Sequence, residues 1–133
     1  MNTQIRPATP ADIPDIEHLL RSLPGVWRPE WRPDVVERAV AAADGLALVA
    51  QAGAQIVGFV CAHDCGFRGY LSELVIAEEW QRKGLGKRLV DAVTLELSRR
   101  GCAVLVADVF PPALPFYERC GWYPPDAVLV ARR

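Results

Sequence analysis

The segment from Leu74 to Leu97 constrains the fold more than any other part of this chain. It holds an apolar run, Leu74-Val75-Ile76, then a polar connection, then Gln81-Arg82-Lys83-Gly84-Leu85-Gly86 at the mouth of a periodic helix. Leu85, Leu89, Val90, Val93 and Leu97 recur at helical spacing and predict one apolar face. Arg99 and Arg100 suit its negative end, and Gly101 suits the residue just past it. A strand that feeds such a helix must lay it back on a sheet, which points to an α/β architecture. Two glycines one residue apart let the backbone approach a ligand closely. The free N–H groups of the helix start then point at an anion. The segment reads as a diphosphate cradle.

The remaining pattern extends this unit in both directions. Ile5-Arg6-Pro7 predicts a short first strand. Thr9 suits an N-cap, Pro10 the first helical position and Asp12 the positive helix start. Ile13, Ile16, Leu19, Leu20 and Leu23 give the first helix its apolar stripe. Three prolines and a glycine between positions 24 and 33 predict an irregular loop. A second helix is expected over 34–43, stopped at Asp44-Gly45. Strands are expected over 46–51 and 55–62, joined through Ala52-Gly53-Ala54 as a hairpin. A further strand covers 70–76. Beyond the long helix come a buried strand at 103–109, a short helix at 112–120 closed by Gly121, and a last strand at 127–132. The order strand-helix-helix-strand-strand-strand-helix-strand-helix-strand implies a mixed α/β sheet covered by helices.

Composition narrows the function classes. With 133 residues, 51% hydrophobic and 23% charged, the chain is expected to be one globular domain. A net charge of −1 gives no case for nucleic acid or an anionic membrane. No apolar run approaches the ~18 residues of a membrane span, and the first residues lack a secretory apolar core. A cytoplasmic location is expected. Cys61, Cys65, Cys102 and Cys120 show no paired spacing, and in a reducing compartment they read as small hydrophobes. Cys61, His63 and Cys65 are potential ligands, but no second cluster completes a four-ligand set, so no metal is expected. His18 and His63 lack partner spacing and read as structural.

A Gly-x-Gly alone is weak, since tight turns use such pairs without a ligand. Its context strengthens it. Arg82, Lys83, Lys87 and Arg88 sit where the helix end is already positive, an unfavourable placement that a bound anion would relieve. A Walker loop is absent, and a dinucleotide fingerprint fails because position 89 is Leu.

The run from Leu74 to Gly86 resembles the acetyl-CoA signature of the GNAT N-acetyltransferase superfamily, an apolar strand followed by Arg/Gln-x-x-Gly-x-Gly/Ala. The opening Ile5 to Asp12 resembles that family's first strand and helix start. Ala113-Leu114-Pro115-Phe116-Tyr117-Glu118-Arg119-Cys120-Gly121-Trp122 resembles its Ala-x-x-Phe/Leu-Tyr-Glu-x-x-Gly-Phe segment. The three matches fall in family order and span nearly the whole chain. The resemblance implies a GNAT-like mixed sheet with helices on both faces and splayed central strands. It also implies acetyl transfer from acetyl-CoA to a primary amine of a small molecule or protein. The alternative is a non-catalytic acyl-CoA-binding or regulatory module. A homodimer is compatible with the family.

By position, Leu74, Val75 and Ile76 would pair with the pantetheine arm. Backbone N–H groups of Gln81, Arg82, Lys83, Gly84, Leu85, Gly86 and Lys87 would hold the pyrophosphate. Tyr117 matches the general-acid tyrosine, which returns a proton to the thiolate leaving group. Glu73 is the first candidate for base because strand alternation sets its side chain opposite Leu74's. Asp108 is its rival, and an ordered water is the third option. The chain departs from the family at Phe110, where Asn is frequent, and in its short tail after Trp122, where the usual hairpin would be curtailed or completed by a partner subunit. Acceptor contacts are expected from Trp27, Arg28 and Trp31 in the Pro-rich loop, since Arg beside Trp can bind a carboxylate or stack on a planar group. A lid whose tryptophans only pack is the competing reading.

Overall fold

A computed structural model describes residues 2–132. Its elements are β1 (Gln4–Pro7), α1 (Ile13–Ser22), α2 (Val35–Ala43), β2 (Ala47–Ala52), β3 (Gln55–Asp64), β4 (Gly69–Ile76), α3 (Leu85–Arg99), β5 (Leu105–Ala107) and α4 (Leu114–Arg119). One sheet carries the strands in the order β1-β2-β3-β4-β5. All pairs are antiparallel except β4–β5, which is parallel, so the sheet is mixed as expected.

Helices cover both faces. On one face Gly58 of β3 lies under α3, where an added Cβ would come within 3.1 Å of Leu89. On the other face Cys61 reaches Ala39 of α2, with Sγ 3.7 Å from the carbonyl oxygen. The five apolar positions that mark α3 in the sequence are all buried. They join Val60, Ala62 and Leu71 of the sheet and Ile16, Leu19 and Leu20 of α1 in one hydrophobic core.

The entry to α1 is tied down by charge. Asp12 is buried, and its carboxylate accepts 2.8 Å hydrogen bonds from both Arg6 terminal nitrogens. It also accepts from the Thr9 backbone N–H at 2.7 Å, which links β1 to the helix start.

Two expectations for the C-terminal part are corrected. The strand at 103–109 shrinks to the three half-buried residues of β5. Residues 127–132 form no strand, and Val128, Leu129 and Val130 lie exposed. Pro124 and Pro125 lack backbone donors, and so short a β5 offers little edge to pair with.

The feature that creates a site is the divergence of β4 from β5. Their pairing covers only Gly69 to Leu71 on β4. Residues 72–76 therefore continue along β3 with no partner on the β5 side among the described residues.

Candidate active site at the strand splay

Two cavities open at this divergence. One, of about 650 Å³, runs from Leu74 and Ile76 over the Gln81–Lys87 loop to Phe116, Arg119 and Cys120 of the α4 region. The other, of about 690 Å³, lies between the Pro-rich loop, the outer part of β4 and residues Asp108 to Phe110. They share Leu74 and Ala113. Phe116 lines the first and the adjacent Tyr117 lines the second, so α4 straddles the junction. A separate hollow of about 600 Å³ under α1 shares no lining residue with either.

The first cleft is built by the glycine loop. Gln81 donates from Nε2 to the carbonyl of Ile76 at 3.0 Å and ties the loop to the strand end. Arg82 and Gly84 both adopt left-handed backbone, with φ of 62° and 82°. Gly84 is the N-cap of α3, and nothing stands where its Cβ would be, so its requirement is conformational. Gly86 answers a different need. A Cβ there would sit 3.2 Å from the Phe116 ring, so the glycine lets α3 and α4 approach. Leu85 is buried, and Lys83 turns towards the Trp80 ring at 5.3 Å. The basic first turn has partners of its own. Lys87 pairs with Asp91 at 2.6 Å, and Arg88 bonds Thr3 at 2.6 Å, away from the cleft. Arg82, Lys87 and Arg119 remain on the cleft wall.

The second cleft holds the titratable groups. A register shift pairs Cys61 with Glu73 and Ala62 with Leu71, leaving Ser72 as the extra residue. This bulge turns Ser72 and Glu73 to the same side, where both line the cleft. Val75, largely buried, lies on that wall as well. Burial, reinforced by the nearby charge of Asp108 and opposed by Arg28, raises the Glu73 carboxyl to about 7. Tyr117 is only 8% exposed and is held edge-on between Phe116 and Trp122, with ring centroids 5.1 and 5.4 Å away. Burial first, then the negative surroundings of Cys120, Glu73 and Asp108, pushes its phenol to about 12. Asp108 is exposed and accepts a very short hydrogen bond from the Tyr70 hydroxyl. Burial and that bond drive the Tyr70 phenol well above its ordinary range.

Of the loop residues singled out in the sequence, Arg28 and Trp31 line the second cleft. Trp27 does not. It lies under Arg21 at 3.8 Å and meets Trp31 edge-on at 5.2 Å, which is a packing arrangement. Phe110, in the place where the family often has Asn, is 67% exposed on the cleft wall with Arg28 5.3 Å over its ring. Sequence reasoning missed Tyr70, whose partnership with Asp108 depends on β4–β5 register. His63, read as structural in the sequence, places its Nε2 3.0 Å from Ser72 Oγ in a 220 Å³ hollow behind Glu73. Among the described residues, no cluster of three or more His, Cys, Asp or Glu is placed to hold a metal.

Two clefts that join end to end at a broken strand pair, one basic and loop-lined, the other carboxylate-rich, define a two-substrate transfer fold. The chain belongs to the GNAT acetyltransferase family, whose model matches residues 13–122. It is 31% identical over 70 residues to glucosamine 6-phosphate N-acetyltransferase of Candida albicans, a match covering 53% of this chain and 47% of that protein. It is 29% identical over 132 residues to glucosamine 6-phosphate N-acetyltransferase 1 of Oryza sativa subsp. japonica, covering 90% of this chain and 80% of that one. The chain thus spans about half the length of the first relative and four-fifths of the second. Its fold is similar to that of the aminoglycoside N-acetyltransferase solved with a bisubstrate CoA analogue, with a TM-score of 0.80, 17% identity, and coverage of 100% of this chain and 99% of that one.

Proposed function

We propose that this chain is an N-acetyltransferase that moves an acetyl group from acetyl-CoA directly to a primary amine. The observation that carries this function is the meeting of the two clefts at Leu74 and Ala113, with Phe116 and Tyr117 on either side. The first cleft suits an acyl-CoA. It offers the unpaired side of β4 for an amide-bearing arm, the start of a 15-residue helix for a diphosphate, and Arg82, Lys87 and Arg119 for its charge. Acetyl-CoA bound there supplies the activated acyl group.

The chain's own residues manage protons. Glu73, held near 7, is substantially ionised at neutral pH and can take a proton from an arriving ammonium, directly or through water. Tyr117, held near 12, keeps its phenolic proton and can give it to the departing sulfur. Asp108 is engaged by Tyr70, which favours Glu73 as the base. Arg28 and Trp31 contact the acceptor, while Trp27 supports the loop from behind. The Candida and Oryza relatives are named for glucosamine 6-phosphate, which makes amine acetylation the common theme. Residues 1–133 are taken as one acetyltransferase domain of the cytoplasm, working without nucleic acid or membrane partners and able to form a homodimer. No helix among the described residues is long and apolar enough to cross a membrane.

Calorimetry with acetyl-CoA, ATP and NAD tests the donor, and an amine screen read by release of free CoA tests the transfer. Acetyl-CoA is expected to bind alone among the three. Absence of binding at millimolar acetyl-CoA would overturn the proposal.

A further inference from the structure

We infer that the acceptor is a primary amine carrying a branched or aromatic apolar group, and that the hollow behind Glu73 receives this group, with Val35 and Ala39 limiting its size. This rests on the acetyltransferase function proposed above and bears on the acceptor alone. The hollow measures about 220 Å³ and shares Trp31, Ser72 and Glu73 with the second cleft, so the two are continuous at the candidate base. Glu73 stands on their boundary because the bulge at Ser72 turns both residues to this side. An amine that gives its proton to Glu73 then has the hollow beside its own carbon chain.

The chemistry of the walls selects the occupant. Leu20 of α1, Val35, Val36 and Ala39 of α2 and Phe59 of β3 line the hollow. Leu20, Val36 and Phe59 are buried, so the hollow reaches into the core rather than along the surface. Its polar groups are engaged with one another. Ser72 Oγ lies 3.0 Å from His63 Nε2 and 3.2 Å from the Cys61 carbonyl oxygen, and the Cys61 thiol donates to the Ala39 carbonyl at 3.7 Å. A hydroxyl or amide entering here would shed its water and find those partners taken. A hydrocarbon group would remove its own surface and that of the walls from water. Interiors are packed as densely as organic crystals, and a void among aliphatic side chains forfeits contacts until something fills it. An apolar cavity of about 150 Å³ is enough to take benzene, so this hollow admits an isobutyl or phenyl group. A sugar phosphate, with a hydroxyl on most of its carbons, finds no such match, and the names of the relatives do not carry over to the acceptor.

The test measures kcat/KM at saturating acetyl-CoA for isoamylamine, 2-phenylethylamine, ethylamine and glucosamine 6-phosphate, with CoA release as readout. Isoamylamine and ethylamine ionise alike, so their ratio reads the burial of the added carbons. Isoamylamine is expected to exceed ethylamine by about tenfold or more. Ala39→Leu, which fills the hollow, is expected to bring that ratio towards one. Val35→Ala, which widens it, is expected to move the preference from isoamylamine towards 2-phenylethylamine, and it carries the test should Ala39→Leu fail to fold. Parity between isoamylamine and ethylamine overturns the inference, as does a preference that neither variant moves. Preference for glucosamine 6-phosphate, or acetyl-CoA binding without turnover of any amine in the panel, also overturns it. Each of these results leaves the donor assignment standing, whereas failure to bind acetyl-CoA removes the acetyltransferase function itself.

Discussion

Glu73 sits where a base is useful and where a carboxylate is costly. Its carboxyl is raised from 4.5 to about 7, chiefly by burial. The activity should therefore rise with pH through a midpoint near 7, and Glu73→Gln should remove that limb of the kcat/KM profile. The stability effect has the opposite sense. A raised folded-state value means that the group's contribution is full below 4.5 and is lost as pH rises through 7. Glu73→Gln should thus be more stable than the parent at pH 8 by on the order of 2–3 kcal/mol, with little difference near pH 4. Chemical denaturation at the two pH values reads this directly. Tyr117→Phe should lower kcat about 10–100-fold with little change in acetyl-CoA affinity; unchanged turnover would remove its role as acid. Strand alternation singles out Glu73, a linear motif singles out Tyr117, and Asp108 enters by its place near the end of the next strand. Their surroundings were not legible in the sequence. Ser72 faces the same cleft only because of a bulge, and Tyr70 reaches Asp108 only through pairing of distant segments. Neither the bulge nor the pairing leaves a local mark on the chain.

At the scale of elements, the two glycines of the donor loop make separable predictions. Gly84→Ala places a side chain at φ 82° in open space and should cost about 1–2 kcal/mol of local strain, read as weaker acetyl-CoA binding. Gly86→Ala pushes on the Phe116 ring instead, so pairing it with Phe116→Leu should recover affinity lost in the single variant. No such recovery is expected for Gly84. The sequence pattern pointed to both glycines but assigned them one purpose, close approach to a ligand; helix–helix contact explains the second. The start of α1 offers a third case. Asp12 is held well below the ordinary carboxylate range, first by its bonds to Arg6 and then by Thr9, against the cost of burial. A lowered value stabilises above the unfolded-state value of about 4 and is lost as pH falls. Asp12→Ala should cost about 2–3 kcal/mol at pH 7, where Arg6 loses its partner, and its deficit should shrink in acid. Thermal melts of both proteins from pH 7 to pH 2 would show the deficit begin to shrink only below about pH 4. The Thr-Pro-Ala-Asp run signalled this helix start plainly, while the Arg6 contact needed β1 to be placed beside it.

For the whole molecule, the order of strands and helices was readable almost to the end of the chain, because each long element carries its own periodicity. The last strand was not, since pairing needs an edge as well as a pattern, and Val128 to Val130 have the pattern alone. The gathering of Arg82, Lys87 and Arg119 on one cleft wall is likewise a property of the assembled fold, invisible in a net charge of −1. Raising ionic strength should therefore weaken acetyl-CoA binding, measured as an increase in its dissociation constant. The interrupted pairing of β4 has one more consequence. Its backbone along 72–76 resembles an exposed sheet border, the kind that recruits other extended chains. An acyl-CoA lying along it would act as a chemical selvedge, finishing the fabric with something other than protein. Supply of the coenzyme would then govern more than turnover: in a starved cell the same chain would carry an open seam, more accessible to proteases and more prone to clumping.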